Sequence, residues 1–421
     1  MQFFTLVLAT ALALAPQPTY ATHASLISRA HKIAVKHSTG LARDLRLAFG
    51  GILVSDPQSS PSQKAYCVSS SSFSNSSLSS GTSSSFTHPS SSVSPTGTKS
   101  STSATASASV SSSPWKPIST YSGSTFFNGW SFWDTADPTH GTVQYLSQTD
   151  AQNAGLALIN SAGNAVMRVD TTPTVSTNRN SVRITTNLAF TEGLVIMDAV
   201  HMPTGCGTWP AFWSNGPNWP AGGEIDIIEG VNDYTNNQAT IHTSDGCSLP
   251  TSSTSQLNIA GTVVGGTNCA ADQTNNQGCG VRSNSNTTFG SGFNSIGGGV
   301  YAMLWQDSGI QVYFFPRGSI PSDITAGAPQ PNNWPTPMAS WPSTDCNMAS
   351  HFYNHSVIFD TTLCGDWAGS AWTGTGIPGQ DQSCAQLTGY SSCASFVQNS
   401  GASFSEAYWE VSSVEIYQYQ S

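Results

Sequence analysis

Gly223-Glu224-Ile225-Asp226-Ile227-Ile228-Glu229-Gly230 is the stretch on which the reading of this chain turns. Isoleucine is β-branched and suits the pleated, half-buried surface of a strand. Strand side chains alternate between faces, so Glu224 and Asp226 point one way and Ile225 and Ile227 the other. Glu229 stands at an odd offset and belongs, by strict alternation, on the isoleucine face. It rejoins the other two acids only if one extra residue enters as a β-bulge, a device common beside functional sites. At about 3.3 Å of rise per residue, the Cα atoms of 224 and 229 lie about 16 Å apart. The sheet is therefore expected to curve and both long side chains to lean inward.

Outward from this strand, short strand-like runs recur between clusters of Gly, Pro, Asn and Ser. They cover 143–146, 165–170, 181–186, 194–202, 238–243, 300–306, 310–316, 356–363 and 408–417. Ile310, Val312 and Phe314 share one face by period two, as a sheet over a core requires. No amphipathic pattern of helical length stands out. Many short strands without helices predict an all-β, antiparallel sandwich. About 300 residues is long for one sandwich, so long loops are expected, and such loops commonly wall a cleft.

The chain divides into unlike pieces. Residues 1–21 read as a signal peptide, with an apolar run from Phe3 to Ala15 that is shorter than the ~20 residues needed to span a bilayer. Residues 22–67 form a basic extension or propeptide. Residues 68–114 are nearly all Ser, Thr, Pro and Gly, cannot bury enough apolar surface to order themselves, and read as a linker. Residues 115–421 are expected to form one globular domain. Asn-x-Ser/Thr sites stand at Asn75, Asn286 and Asn354.

Charge follows the same division. Residues 1–116 hold eight of the thirteen Lys/Arg and two of the twenty-three Asp/Glu, so 117–421 keeps five and twenty-one, a net of −16. Such a domain repels nucleic acid and anionic membrane surfaces and suits a neutral substrate. Of nine cysteines, Cys67 precedes the linker and eight follow it. Behind a signal sequence, an even eight implies disulfides, of unspecified pairing. No Cys-x2-Cys pair or matching histidine spacing supports zinc.

Three carboxylates within six residues repel one another, so one of them is expected to hold its proton near neutral pH. An ionised carboxylate beside a protonated one is the arrangement that glycoside hydrolysis uses. The competing readings are a calcium site, which favours Asp/Asn around a glycine turn rather than isoleucine spacers, and a solvated acidic face.

Here the sequence resembles a known family. Glu-x-Asp-x-x-Glu on a strand is similar to the signature of glycoside hydrolase family 16, the laminarinase and lichenase group. Trp209-Pro-Ala-Phe-Trp213 and Asn218-Trp219-Pro220 through Asn232 resemble its fungal laminarinase-type endo-1,3(4)-β-glucanases. So do Gln238-Ala-Thr-Ile-His242-Thr, Cys364-Gly-Asp-Trp367-Ala-Gly and the closing run Tyr408 to Tyr417. The likeness covers residues 117–421. It implies a β-jelly-roll of two curved antiparallel sheets with a glycan cleft on the concave face.

Carried over by position, the resemblance implies Glu224 as nucleophile, Glu229 as general acid/base and Asp226 as the group holding the charge state of Glu224. His242 is expected on the neighbouring strand beside these carboxylates, or else as a structural histidine. Trp213, Trp219 and Trp367 match cleft positions and are expected as sugar platforms, whereas Trp305 and Trp409 read as core. Arg183 either donates to a sugar or to the nucleophile, or pairs with an acid. No metal ligand or cofactor is expected at the site, and a structural calcium is left open. The expected substrate is a β-1,3-glucan or mixed β-1,3/1,4-glucan, acted on by a secreted monomer with no nucleic-acid partner and no membrane association in its mature form. A wall-remodelling transglycosylase and a non-catalytic glucan-binding module are the alternatives.

Overall fold

The computed structural model describes residues 112–420. The expectations for 1–21, 22–67, Cys67, Asn75 and most of 68–114 lie outside the described residues. In chain order the strands are β1 (Trp115–Ser122), β2 (Trp130–Phe132), β3 (Val143–Tyr145), β4 (Ala157–Ile159), β5 (Ala165–Arg168) and β6 (Arg179–Ser181). There follow β7 (Arg183–Thr186), β8 (Gly193–His201), β9 (Thr208–Asn215), β10 (Glu224–Glu229), β11 (Gln238–His242) and β12 (Thr262–Val264). The last six are β13 (Cys279–Arg282), β14 (Gly299–Gln306), β15 (Gly309–Pro316), β16 (Ala339–Pro342), β17 (Ser356–Leu363) and β18 (Tyr408–Tyr419).

One sheet runs β12-β13-β11-β10-β9-β17-β7-β2. The other runs β16-β15-β14-β8-β18-β5-β4, with β1 also paired to β18. All pairs in both sheets are antiparallel; the short β3–β6 pair is parallel. This is the antiparallel sandwich that the strand-like runs anticipate, in the jelly-roll form that the family resemblance implies. Among the described residues the longest helix, Cys393–Asn399, has seven residues.

The main core lies between the sheets. Phe212, Ile225, Ile227, Ile228 and Phe359 from the first meet Val195, Met197, Tyr301, Met303, Val312 and Ile416 from the second. Ile310 and Val312 sit in this core and Phe314 packs against it, as the period-two reading of β15 requires. Burying a chain of that size is worth about 1.5–3 kcal/mol each, which is what holds the two layers together. Trp305 and Trp409 are both core residues, each 1% exposed. The far face of the second sheet is apolar too. Leu194, Ile196, Tyr313 and Phe315 are buried there under Ile320, Ile324 and Trp334, so a loop layer covers a face that a plain two-layer sandwich leaves to water.

The eight cysteines of the domain form four disulfides: Cys206–Cys384, Cys247–Cys346, Cys269–Cys279 and Cys364–Cys393. Two of them fasten the long segment after β17, which carries a small core of its own around Trp372, Phe396 and Phe404. Asn286 and Asn354 are exposed. No described helix is long and apolar enough to cross a membrane.

Candidate active site

The pairing of β10 with β9 answers the question posed by the odd offset. Glu224, Asp226 and Glu229 stand opposite Asn215, Trp213 and Ala211, with the register shifting between Asp226 and Ile228. The partners step back by two each time while the acids step by two and then three. One residue of β10 is therefore extra, and the bulge returns Glu229 to the face of Glu224 and Asp226. Ile225, Ile227 and Ile228 are all fully buried on the core side.

The acids line a cleft of about 430 Å³ on the open face of the first sheet. Trp209, Ala211, Trp213 and Asn215 reach it from β9, Arg183 from β7, His242 from β11, and Asp360 and Thr362 from β17, with Trp133 and Trp219 at the rim. A depression of about 470 Å³ on the second sheet, around Glu192, Asp307 and Tyr419, holds none of these groups. Its tryptophans, Trp115 and Trp305, are buried and offer no stacking face.

Glu224 opens β10 after Gly223, whose φ of +78° favours glycine. A Cβ at Gly223 would stand 2.3 Å from the His351 carbonyl oxygen. The Trp219 indole N–H donates to the Glu224 carboxylate. Although part of Glu224 faces the cleft, burial is the largest influence on its carboxyl. Burial and the negative charges of Asp226 and Glu229 push it up to about 8, against the pull of His242 and the Trp219 N–H. A proton near neutral pH is therefore favoured on Glu224.

His242 stands directly across from Glu224. Its Nε2 lies 3.3 Å from Asp226 Oδ2, both side chains being buried. Donor atoms of Glu224, Asp226 and His242 lie close enough to hold a cation in principle. The chemistry of the set argues otherwise, because His242 already faces Asp226 and the indole N–H already occupies Glu224. The Trp209 indole donates to Glu229 Oε1 at 2.9 Å.

The Arg183 guanidinium is sandwiched between the rings of Trp133 at 4.7 Å and Trp213 at 5.1 Å. Arg183 also stands across from Asp360 on β17, so it both lines the cleft and faces an acid. Asp360 accepts the Trp213 indole N–H at 3.1 Å. Burial pushes the Asp360 carboxyl up to about 7, opposed by Arg183 and the Trp213 N–H and aided by Asp137 and Glu229.

The site therefore gathers Glu224, Asp226, Glu229, His242, Trp213, Trp219 and Arg183. Trp367 corrects the sequence reading: it is 1% exposed. The turn after Cys364 buries its ring edge-on to Trp209 at 5.8 Å and Tyr234 at 6.3 Å, so it backs the cleft-lining Trp209 and offers sugars no face. Sequence reasoning missed Trp209, Trp133 and Asp360. Trp209 was within reach, since it shares a face with Trp213 four residues on. Asp360 was also marked, as the lone charge in the apolar run 356–363.

Comparison with known proteins bears on this arrangement. The family described as XgeA-like, catalytic GH16 domain matches residues 130–417. A probable glycosidase of Schizosaccharomyces pombe is 44% identical over 305 residues, 72% of this chain and 69% of the relative. A probable endo-1,3(4)-β-glucanase of Aspergillus niger is 44% identical over 311 residues, 73% of this chain but 40% of the relative, so the chain spans less than half of that protein. Laminarinase 16A from Phanerochaete chrysosporium, solved with 6-O-glucosyl-laminaritriose in donor and acceptor sites, is 38% identical with a TM-score of 0.65, covering 72% of this chain and 99% of that one. An elongating β-1,3-glucosyltransferase of the same family is 39% identical with a TM-score of 0.64, covering 72% and 100%.

Proposed function

The chain belongs to glycoside hydrolase family 16, and from that premise we propose that it is a secreted, retaining endo-hydrolase of β-1,3-glucans that also accepts mixed β-1,3/1,4 chains. The observation that carries the reading is the β10 bulge, which turns three carboxylates into one aromatic-lined cleft. Glu224 attacks the anomeric carbon while Glu229 protonates the departing oxygen. Glu229 then deprotonates the water that releases the glycosyl-enzyme, so the configuration is retained.

The Glu224 carboxyl, pushed up to about 8, favours a proton at neutral pH. For the first step that proton has to sit on Glu229 and the charge on Glu224. Trp219 and His242, the two groups that favour the Glu224 anion, serve that redistribution. Asp226 couples the nucleophile to His242. Trp213 and Trp219 stack the C–H faces of the sugar rings, while Arg183, held flat between Trp133 and Trp213, offers donors to hydroxyls at the rim. No cofactor takes part, so dialysis against EDTA is expected to leave turnover unchanged. Disulfides suit an oxidising compartment, which agrees with secretion.

The test is reducing-sugar release from laminarin, lichenan, carboxymethyl-cellulose and agarose, with product sizes and the first-released anomer followed by proton NMR. Shortened chains from laminarin, released first as the β-anomer, support the proposal. The α-anomer first overturns the mechanism, and activity only on another polymer overturns the substrate. A second reading, chain-lengthening transfer, is favoured by the likeness to the elongating glucosyltransferase, and it predicts products longer than the donor. A binding module predicts no turnover and no change on Glu224→Gln.

A further inference from the structure

A bulge solves one problem and creates another. The β10–β11 ladder covers Glu224 to Asp226 and stops there. Past that point the backbone of β10 is buried with no strand beside it on the β11 side. A buried N–H or C=O without a partner costs about 1–3 kcal/mol, and a bulge left unsupported has little to fix its direction.

One side chain fills the gap. Asn237, the residue before β11, is 0% exposed. Its Oδ1 accepts the backbone N–H of Glu229 at 3.0 Å. Its Nδ2 donates to the carbonyl oxygen of Ile227 at 2.9 Å. The two backbone groups have opposite polarity, so only one orientation of the amide satisfies both, and the primary amide stands in for the missing peptide unit of a neighbouring strand. Asn237 is itself pinned on both sides. Its N–H donates to Thr288 Oγ1 at 2.9 Å, and its carbonyl accepts the N–H of Ser283 at 2.8 Å.

We propose that Asn237 is a positioning residue for the acid/base: by bonding Ile227 and Glu229 across the bulge it fixes the backbone from which the Glu229 side chain enters the cleft. It touches neither substrate nor reacting atoms. The inference rests on the reading of Glu229 as the acid/base. Glu224 and Asp226 precede the bulge and are held by the β11 ladder, so loss of Asn237 acts on proton donation rather than on nucleophilic attack.

That selectivity supplies the test. Wild type, Asn237→Ala, Asn237→Asp and Glu229→Ala are compared on laminarin and on an aryl β-laminaribioside whose 2,4-dinitrophenolate leaves without protonation. Sodium azide serves as a probe for rescue of the second step, and thermal unfolding is followed by circular dichroism. Misplacing a reacting group by about 1 Å costs about 100-fold. Asn237→Ala is therefore expected to lower kcat on laminarin by about that factor at similar KM, and to slow aryl-glycoside cleavage far less. Azide is expected to raise the aryl-glycoside rate of Asn237→Ala and Glu229→Ala alike. Asn237→Asp, which accepts from Glu229 but cannot donate to Ile227, is expected to fall between, and carries the same comparison should Asn237→Ala not unfold cooperatively. Equal losses on both substrates, or none, in a variant that folds overturns the proposal. If Glu229→Ala itself shows no preference for the good leaving group, the acid/base assignment fails instead, and the two failures are distinct.

Discussion

His355 sets up a measurement in which sign and size both follow from the structure. The residue is 0% exposed. Its ring packs 4.8 Å from Trp305 and 5.9 Å from Phe352. Nε2 meets the Gly222 carbonyl oxygen at 2.8 Å, and Nδ1 meets the Ser214 hydroxyl at 2.9 Å. A carbonyl only accepts, so Nε2 carries the hydrogen and Nδ1 accepts from Ser214. That neutral ring ties the carbonyl two residues before Glu224 to strand β9. Burial pushes His355 down from 6.5 to about 4, partly opposed by the Gly222 bond. Between those values the unfolded chain binds the proton and the folded one does not, so stability from this group is complete above about 6.5 and is lost as the pH falls toward 4. At about 1.36 kcal/mol per unit, the drop is about 3 kcal/mol. His355→Gln keeps one acceptor and one donor but does not titrate. It is expected to be less stable than wild type at pH 7, by about 1–2 kcal/mol of lost packing, and to lose about 3 kcal/mol less between pH 7 and pH 4. The assay is guanidinium unfolding by tryptophan fluorescence at pH 7, 5.5 and 4. The carboxylates titrate alike in both proteins and cancel in the difference. Stability curves that run parallel across that window refute the reasoning.

Three further outcomes are expected. Trp209→Phe removes the N–H that bonds Glu229; a bond to a charged group is worth about 1.5–3 kcal/mol, so kcat on laminarin falls about 10- to 150-fold with little change in KM or in folding. Asp226→Asn removes the largest charge that raises Glu224. The nucleophile then ionises at lower pH, read as a downward shift in the pH dependence of inactivation by an epoxide-bearing glucan oligomer; an upward shift contradicts the charge argument. Trp219→Ala and Trp367→Ala part company: the first, 43% exposed, raises KM with little effect on unfolding, whereas the second, in the core, costs about 3–5 kcal/mol of stability.

Most strands were legible as short apolar runs between Gly, Pro, Asn and Ser, since β8, β11, β14 and β17 are buried on nearly every residue. Ten observed strands, β10 among them, coincide with such runs, and period two decides the faces where one side carries polar groups. The faces of Glu224 and Asp226, and the need for a bulge before Glu229, followed from the same rule. What stayed hidden depends on pairings far apart in the chain. The bond from Trp213 to Asp360 joins residues 147 positions apart. Trp367 was misplaced for a related reason. A short motif identifies a turn, but which way the ring leaves it depends on what the rest of the fold already fills, and here Trp209 and Tyr234 leave an edge-lined slot in the core.

The same contrast explains which part of the site is written locally and which is distributed. Three acids on one strand are a local feature, and so is the extra isoleucine that sends one of them back to the right face. Keeping them there is not local. Each carboxyl is held by a group from elsewhere: Glu224 by Trp219 in the preceding loop, Asp226 by His242 on β11, and Glu229 by Trp209 on β9. The backbone between them is held by Asn237. Trp209 and His242 are anchored in strands and Asn237 is fully buried, while Trp219 reaches in from the exposed rim, so the fold fixes Asp226 and Glu229 in position before any glucan arrives. That preorganisation is what allows like charges to stand together in a cleft where, free to move, they would separate.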